Sequence, residues 1–332
     1  MLVPPSPNRP TISDLDAATD PPSDPLSTLA LLEGEVVVFA SDRDGDFDIY
    51  AIDAARGGQR RLAATDLSER NPALAPDGRT IAYVVGDEPD RDIWLMDADG
   101  GRKRPFITDP TDDTDPVWSA DGSMFAFSSR RSDPAFDIFA IRDRGDGFEP
   151  HTARNLTARP ALEQGPAWSP SGQRIAIASS EDGGPRDIVL IDPDDTDVRM
   201  RRTSTTDDDF GPAFAPDGRS ILFARRNPCL TCPGLLGQSD IYRIEGQGRP
   251  SPITTTSERD EMMPEWSPDG RAFVVSAGSP GEMDLYVISR DGRRRRPLTH
   301  AMADAIQPSW GTAPAPPRTT PGRSVATASA PG

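Results

Sequence analysis

Hydrophobic positions in this chain fall in short runs rich in β-branched and aromatic residues, each closed on both sides by Gly, Asp, Asn or Pro. Thr80-Ile81-Ala82-Tyr83-Val84-Val85 and Arg174-Ile175-Ala176-Ile177-Ala178 are typical. Runs of this length and composition predict β-strands, with the polar punctuation as turns.

Two landmarks recur in phase with these runs. The first is a proline, any residue, a large apolar residue and a small one, usually followed by a Pro-Asp-Gly-like turn. Examples are Pro72-Ala73-Leu74-Ala75-Pro76-Asp77-Gly78 and Pro264-Glu265-Trp266-Ser267-Pro268-Asp269-Gly270, and the leading prolines stand at 72, 116, 166, 212, 264 and 308. The second is an Asp followed by two apolar residues, at Asp48, Asp92, Asp137, Asp187, Asp240 and Asp284, each with a short run ending in Leu-Thr or a variant behind it. A period of this size belongs to stacked supersecondary units.

Strands of about five or six residues joined by tight hairpin loops fill one period with four strands. Four antiparallel strands repeated about an axis form a propeller blade, so the expected fold is all-β, a six-bladed β-propeller. The Asp-Gly pairs are expected as type I′ or II′ hairpin turns. The chain enters at Glu35-Val36-Val37-Val38-Phe39-Ala40, equivalent to a second strand, and leaves through Pro308-Ser309-Trp310, equivalent to a first. The C-terminal strand should therefore complete the N-terminal blade and close the ring.

Composition divides the chain further. Residues 1–33 are expected as a flexible Pro-rich leader, 34–311 as the propeller and 312–332 as a disordered tail, because the ends carry too few large apolar side chains to offset the entropy of ordering them. A net charge of -17 argues against a nucleic-acid partner. No apolar stretch is long enough to span a membrane. The residues given hold no basic segment leading into an apolar run, hence no recognisable signal peptide; the Pro-rich leader also fits a trimmed anchor, and extracytoplasmic and cytoplasmic settings both stay open.

Ser41-Asp42-Arg43-Asp44-Gly45-Asp46-Phe47-Asp48-Ile49-Tyr50, taken with Pro264 to Gly270, resembles the TolB-type, or WD40-like, propeller repeat. The resemblance covers all six units and implies an interaction propeller in a periplasmic or cell-envelope setting. The separate N-terminal α/β domain of TolB has no counterpart in residues 1–33. Similar propellers gate prolyl-oligopeptidase-like enzymes, but their Gly-x-Ser-x-Gly hydrolase domain is missing here.

Candidate chemistry is sparse. His151 and His300 lie in different units without metal-ligand spacing, which argues against the His-rich metal site of lyases similar to this repeat. Asp42, Asp44, Asp46 and Asp48 are reminiscent of a calcium loop but lack its distal bidentate Glu, so a solvated hairpin is the expectation and Ca²⁺ the weaker alternative to no cofactor. Cys229 and Cys232 have no second Cys pair, and a local disulfide in an oxidising compartment is expected.

One further position is acidic in five units, three residues before each landmark proline: Glu69, Asp113, Glu163, Asp209 and Glu261, with Asp304 near the sixth. On a propeller this position is expected at one mouth of the channel, where a ring of carboxylates would concentrate negative potential. The resulting expectation is a monomeric, non-catalytic scaffold that binds a protein or peptide, a basic one, at an acidic channel face. The alternative is a lyase or hydrolase using a metal held in the channel.

Overall fold

The computed structural model describes residues 34–132, 134–227, 238–256, 259–300 and 303–312. They form six four-stranded antiparallel sheets arranged as the blades of a propeller. From the channel outward, blade two holds Glu69–Leu74, Thr80–Val85, Asp92–Asp97 and Arg104–Ile107, and blade three Asp113–Trp118, Met124–Ser129, Asp137–Arg142 and Arg154–Asn155. Blade four holds Leu162–Trp168, Ile175–Ser180, Asp187–Ile191 and Arg199–Arg201, and blade five Asp208–Phe214, Ser220–Arg226, Ser239–Glu245 and Ser251–Pro252. Blade six is built from Asp260–Trp266, Ala272–Gly278, Asp284–Ser289 and Arg295–Pro297.

Blade one mixes the two ends of the domain. Its outer strands are Glu35–Ser41, Asp48–Asp53 and Gln59–Ala63, and its innermost strand is Ala305–Thr312. The pairing is antiparallel, with Val37 opposite Trp310 and Ser41 opposite Ala305. The ring is therefore closed by the C-terminal strand, which leaves no open sheet edge between the first and last blades.

The hydrophobic core is distributed between blades. One cluster joins Phe210, Leu222 and Ile241 of blade five to Trp266, Phe273 and Val275 of blade six; another joins Ile138 and Leu156 of blade three to Trp168, Ile175 and Val189 of blade four. Middle strands are covered on both faces, so Ile175–Ser180 and Ala272–Gly278 are buried throughout and their sequences run apolar or small without alternation. Complete burial of a side chain such as Ile81 or Phe273 stabilises the seam it fills by about 2 kcal/mol.

The Asp-Gly turns differ from expectation. Gly78 N–H donates to the Ala75 carbonyl at 2.9 Å, so Pro76 and Asp77 are the central residues, and the positive φ of 68° falls on Gly78 alone. A type I′ turn would need two left-handed central residues; proline at the first central position excludes that and favours a four-residue turn closed by a left-handed glycine. Asp77 still bonds the backbone ahead of it, accepting from Arg79 N–H at 2.8 Å, and Asp121, Asp217 and Asp269 repeat the contact.

The second landmark is a seam lock. Thr203 Oγ1 donates to Asp187 at 3.1 Å and accepts from Ile188 N–H at 2.8 Å; Thr157 with Asp137, and Thr299 with Asp284, do the same. In these three blades the Thr of the Leu-Thr segment or its variant thus ties the outer edge to the third strand.

Candidate functional site

The innermost strands share one local conformation. Asn71, Asp115, Gly165, Gly211, Met263 and Gln307, the residues just before the six landmark prolines, all have positive φ between 46° and 61°. The ladder register breaks at the same point in blades two to six, for example between Arg70 and Ala73. Proline supplies no N–H to a ladder and is tolerated on edge strands and at bulges. The left-handed residue makes the bulge, and each proline joins the wall of the channel.

The wall encloses a cavity of about 230 Å³ lined by these bulges, the prolines and, in five of the six units, the residue after the proline. On one arc the polar groups are wired together. Asn71 N–H donates to Gln307 Oε1 and Gln307 Nε2 donates to Asn71 Oδ1, both at 3.0 Å; Asn71 Nδ2 reaches Asp115 Oδ1 at 2.9 Å. Asp115 Oδ2 accepts from Ser128 Oγ at 3.0 Å and Gly165 N–H at 3.2 Å. Burial raises the Asp115 carboxyl above its ordinary range, while those donors act in the opposite direction.

The position after the proline is Ala73, Val117, Ala167, Ala213, Glu265 and Ser309. Glu265 alone is ionisable there. Its carboxylate has no hydrogen-bond or ion-pair partner among the described residues, and burial pushes it up to about 8. It also lines a second cavity of about 380 Å³, which opens among Trp118, Trp168, Trp266 and Trp310 with prolines of the turns. Glu265 therefore stands where the polar channel meets an aromatic mouth.

The carboxylates expected at the mouth lie elsewhere. Glu69, Asp113, Glu163, Asp209 and Glu261 are each 0% exposed. Arg131 donates to both oxygens of Asp113 at 2.9 and 3.0 Å, and Arg225 to both of Asp209 at 2.7 and 2.8 Å. Arg199 holds Glu163 and Arg295 holds Glu261. Glu69 accepts from Thr65 Oγ1 at 2.6 Å and lies beside the Asp48 carboxyl, with no arginine holding it among the described residues, and burial pushes its carboxyl up to about 7. Asp304, half-buried, accepts from Met283 N–H at 2.9 Å. These are locks at the ends of the inner strands, and the expected exposed ring is corrected to a buried one: the first or second residue of an inner strand turns away from the channel, in four cases toward an arginine of its own blade.

Asp42, Asp44, Asp46 and Asp48 do not gather around one cation site, although Asp44 and Asp48 share Arg61. Asp42 accepts from Asp304 N–H at 2.8 Å, Asp44 from Tyr50 Oη at 2.5 Å, and buried Asp48 pairs with Arg61 at 3.3 Å. Among the described residues no group of three His, Cys, Asp or Glu could hold a metal ion. Cys229 and Cys232 lie outside the described residues. Sequence reasoning missed Asn71, Asp115, Glu265 and Gln307, although a signal existed: the residue before the proline is Gly, Asn or Asp in four units, the types that accept left-handed backbone.

No protein-family model matches the chain. Among solved structures, TolB from Acinetobacter baumannii is similar with a TM-score of 0.67 at 18% identity, over 86% of this chain and 69% of that one. A TolB-assigned protein from Agrobacterium tumefaciens gives 0.63 at 19%, over 83% and 98%. An oligogalacturonate lyase in complex with manganese gives 0.51 at 13%, over 81% and 74%. Among the described residues no helix is long and apolar enough to cross a membrane. Likeness at these identities is likeness of fold: the chain is a six-bladed β-propeller similar to that of TolB proteins, closed through its C-terminal strand.

Proposed function

We propose that the chain is a non-catalytic scaffold that binds a protein or peptide at its channel, in an extracytoplasmic setting, through a basic group that meets Glu265. The observation that carries this reading is the unpartnered carboxylate of Glu265 in a wall where the other five equivalent positions are uncharged. The channel environment favours the protonated Glu265 carboxyl, and an arriving cation favours its ionised form, so that binding pairs the two charges and releases a proton. Asp115, already bonded on both oxygens, adds negative potential without competing for the same donors. The likeness to TolB propellers supports a scaffold.

The test is capture from the cell extract of the source organism by the intact chain and by Glu265→Gln, at low and high salt. The expected result is a partner retained at low salt, released at high salt, and held about tenfold more weakly by the variant. Equal capture by both proteins would remove Glu265 from the reading, and capture insensitive to salt would remove the basic group.

A further inference from the structure

A second cavity, about 600 Å³ and sharing no residue with the channel, lies on blade six and is lined by Arg243, Arg271, Arg290, Arg293, Arg294, Ser289 and Asp291. We propose that this arginine cleft is a binding site for a ligand carrying two or more phosphoryl groups.

Five arginines line it in a chain of net charge -17. They come from separate elements: Arg243 from the third strand of blade five, Arg271 from the turn entering the second strand of blade six, and the others from the hairpin between its last two strands. The repeat supplies its own control. The corresponding hairpin of blade four carries Asp192, Asp194, Asp195 and Asp197, so neither the fold nor the turn requires arginine at this place.

Asp291 and Asp269 are committed to their turns, and Glu245 is paired with Arg243. Asp291 Oδ1 accepts from Ser289 Oγ at 2.6 Å and from Arg293 N–H at 3.1 Å; Asp269 Oδ1 accepts from Ser267 Oγ at 2.8 Å and Arg271 N–H at 2.9 Å. Their second oxygens lie 3.5 Å from Arg271 Nε and 3.9 Å from Arg293 Nε, loose contacts between exposed arginine side chains and turn acids. Arg290 is held in place by Asp217 at 2.8 Å, by the Gly270 carbonyl and over the Trp266 ring. Arg243 donates to the Arg290 carbonyl at 3.1 Å and pairs with Glu245 at 3.0 Å, while its buried Nε has no acceptor.

Fixed arginines at the base and exposed ones at the rim suit an oxyanion, because guanidinium forks match phosphate oxygens two at a time. A single phosphate leaves much of the cleft empty; two phosphoryl groups fill more of it and engage the two loosely held rim arginines, Arg271 and Arg293, together. Soluble phosphoanhydrides and phospholipid headgroups share this chemistry.

The test uses the intact chain and two charge-matched double variants. Arg271→Gln with Arg293→Gln removes two rim cations; Arg56→Gln with Arg102→Gln removes two exposed arginines of other blades. Titration calorimetry with pyrophosphate at low ionic strength should show saturable binding, about tenfold weaker in the first variant and unchanged in the second. Absence of saturable binding to the intact chain overturns the proposal, as does equal loss in both variants, which would mean net charge alone is read. Vesicles of phosphatidylcholine doped with cardiolipin separate the sources. Sedimentation with them, competed by pyrophosphate, assigns a headgroup; pyrophosphate binding without sedimentation assigns a soluble ligand.

Discussion

Two sets of carboxylates lie a few residues apart on the same inner strands and have opposite fates. Asp209 and its equivalents, at the start of each strand, are buried in the seams and mostly matched by arginines from their own blades; Glu265, four residues beyond Glu261, faces the channel with no partner. The matched set reports on how the ring is held. The unmatched one reports on what the ring could hold. Burial and partnership both distinguish them: the seam set is fully enclosed, whereas Glu265 is half-buried on the channel wall and has no partner among the described residues.

The comparison can be broken at three levels. Truncation after Asp304 removes the innermost strand of blade one, and with it Gln307 from the wired arc. We expect loss of cooperative thermal unfolding, whereas truncation after Thr312 should leave the melt unchanged; equal melts would mean that the closing strand does not hold the ring.

Next in size is the seam. Asp209→Ala leaves Arg225 buried with only the distant Asp207, at 3.9 Å, to compensate it, and should cost about 3 kcal/mol in urea unfolding. Combining it with Arg225→Met should recover much of that loss. A cost under about 1 kcal/mol would show that the seam carboxylates are not locks.

The smallest effect separates Glu265 from the seam. Its folded carboxyl titrates at about 8, raised from 4.5, so the native state keeps a proton that the unfolded chain has released. Its contribution to stability is therefore complete below about pH 4.5 and is lost as pH rises towards 8. Glu265→Gln should be more stable than the native chain at pH 8, by on the order of 2 kcal/mol, with the difference closing near pH 4.5. Glu35 and Glu69, both raised by burial to about 7, shift in the same direction, so a weaker decline with pH should remain in the variant. Parallel pH profiles of the two proteins would mean that Glu265 is solvated as an ordinary surface acid.

Much of the fold was legible because the repeat is local. The prolines at 72 to 308 and the aspartates at 48 to 284 marked every blade, and the phase of the first and last strands disclosed the closure. The candidate site was legible only in part. The acidic series before the prolines was in register, but its direction was misjudged by two residues of strand: Glu69 points into a seam, while Asn71, at the left-handed bulge, lines the channel. A bulge adds a residue without changing the spacing between landmarks, so counting along the chain does not reveal which side chains it turns inward.

By itself the amino-acid sequence determined the blade number, the four-strand unit and the closure, since each follows from hydrophobic runs and turn residues within one period. Only the tertiary structure decided which charges are spent and which are available. Arg131 reaches Asp113 across its own blade, Glu265 finds no donor, and five arginines from two blades meet at one cleft. Partnership between charges depends on distances of a few ångströms between segments far apart in the chain, and those distances exist only once the ring has closed.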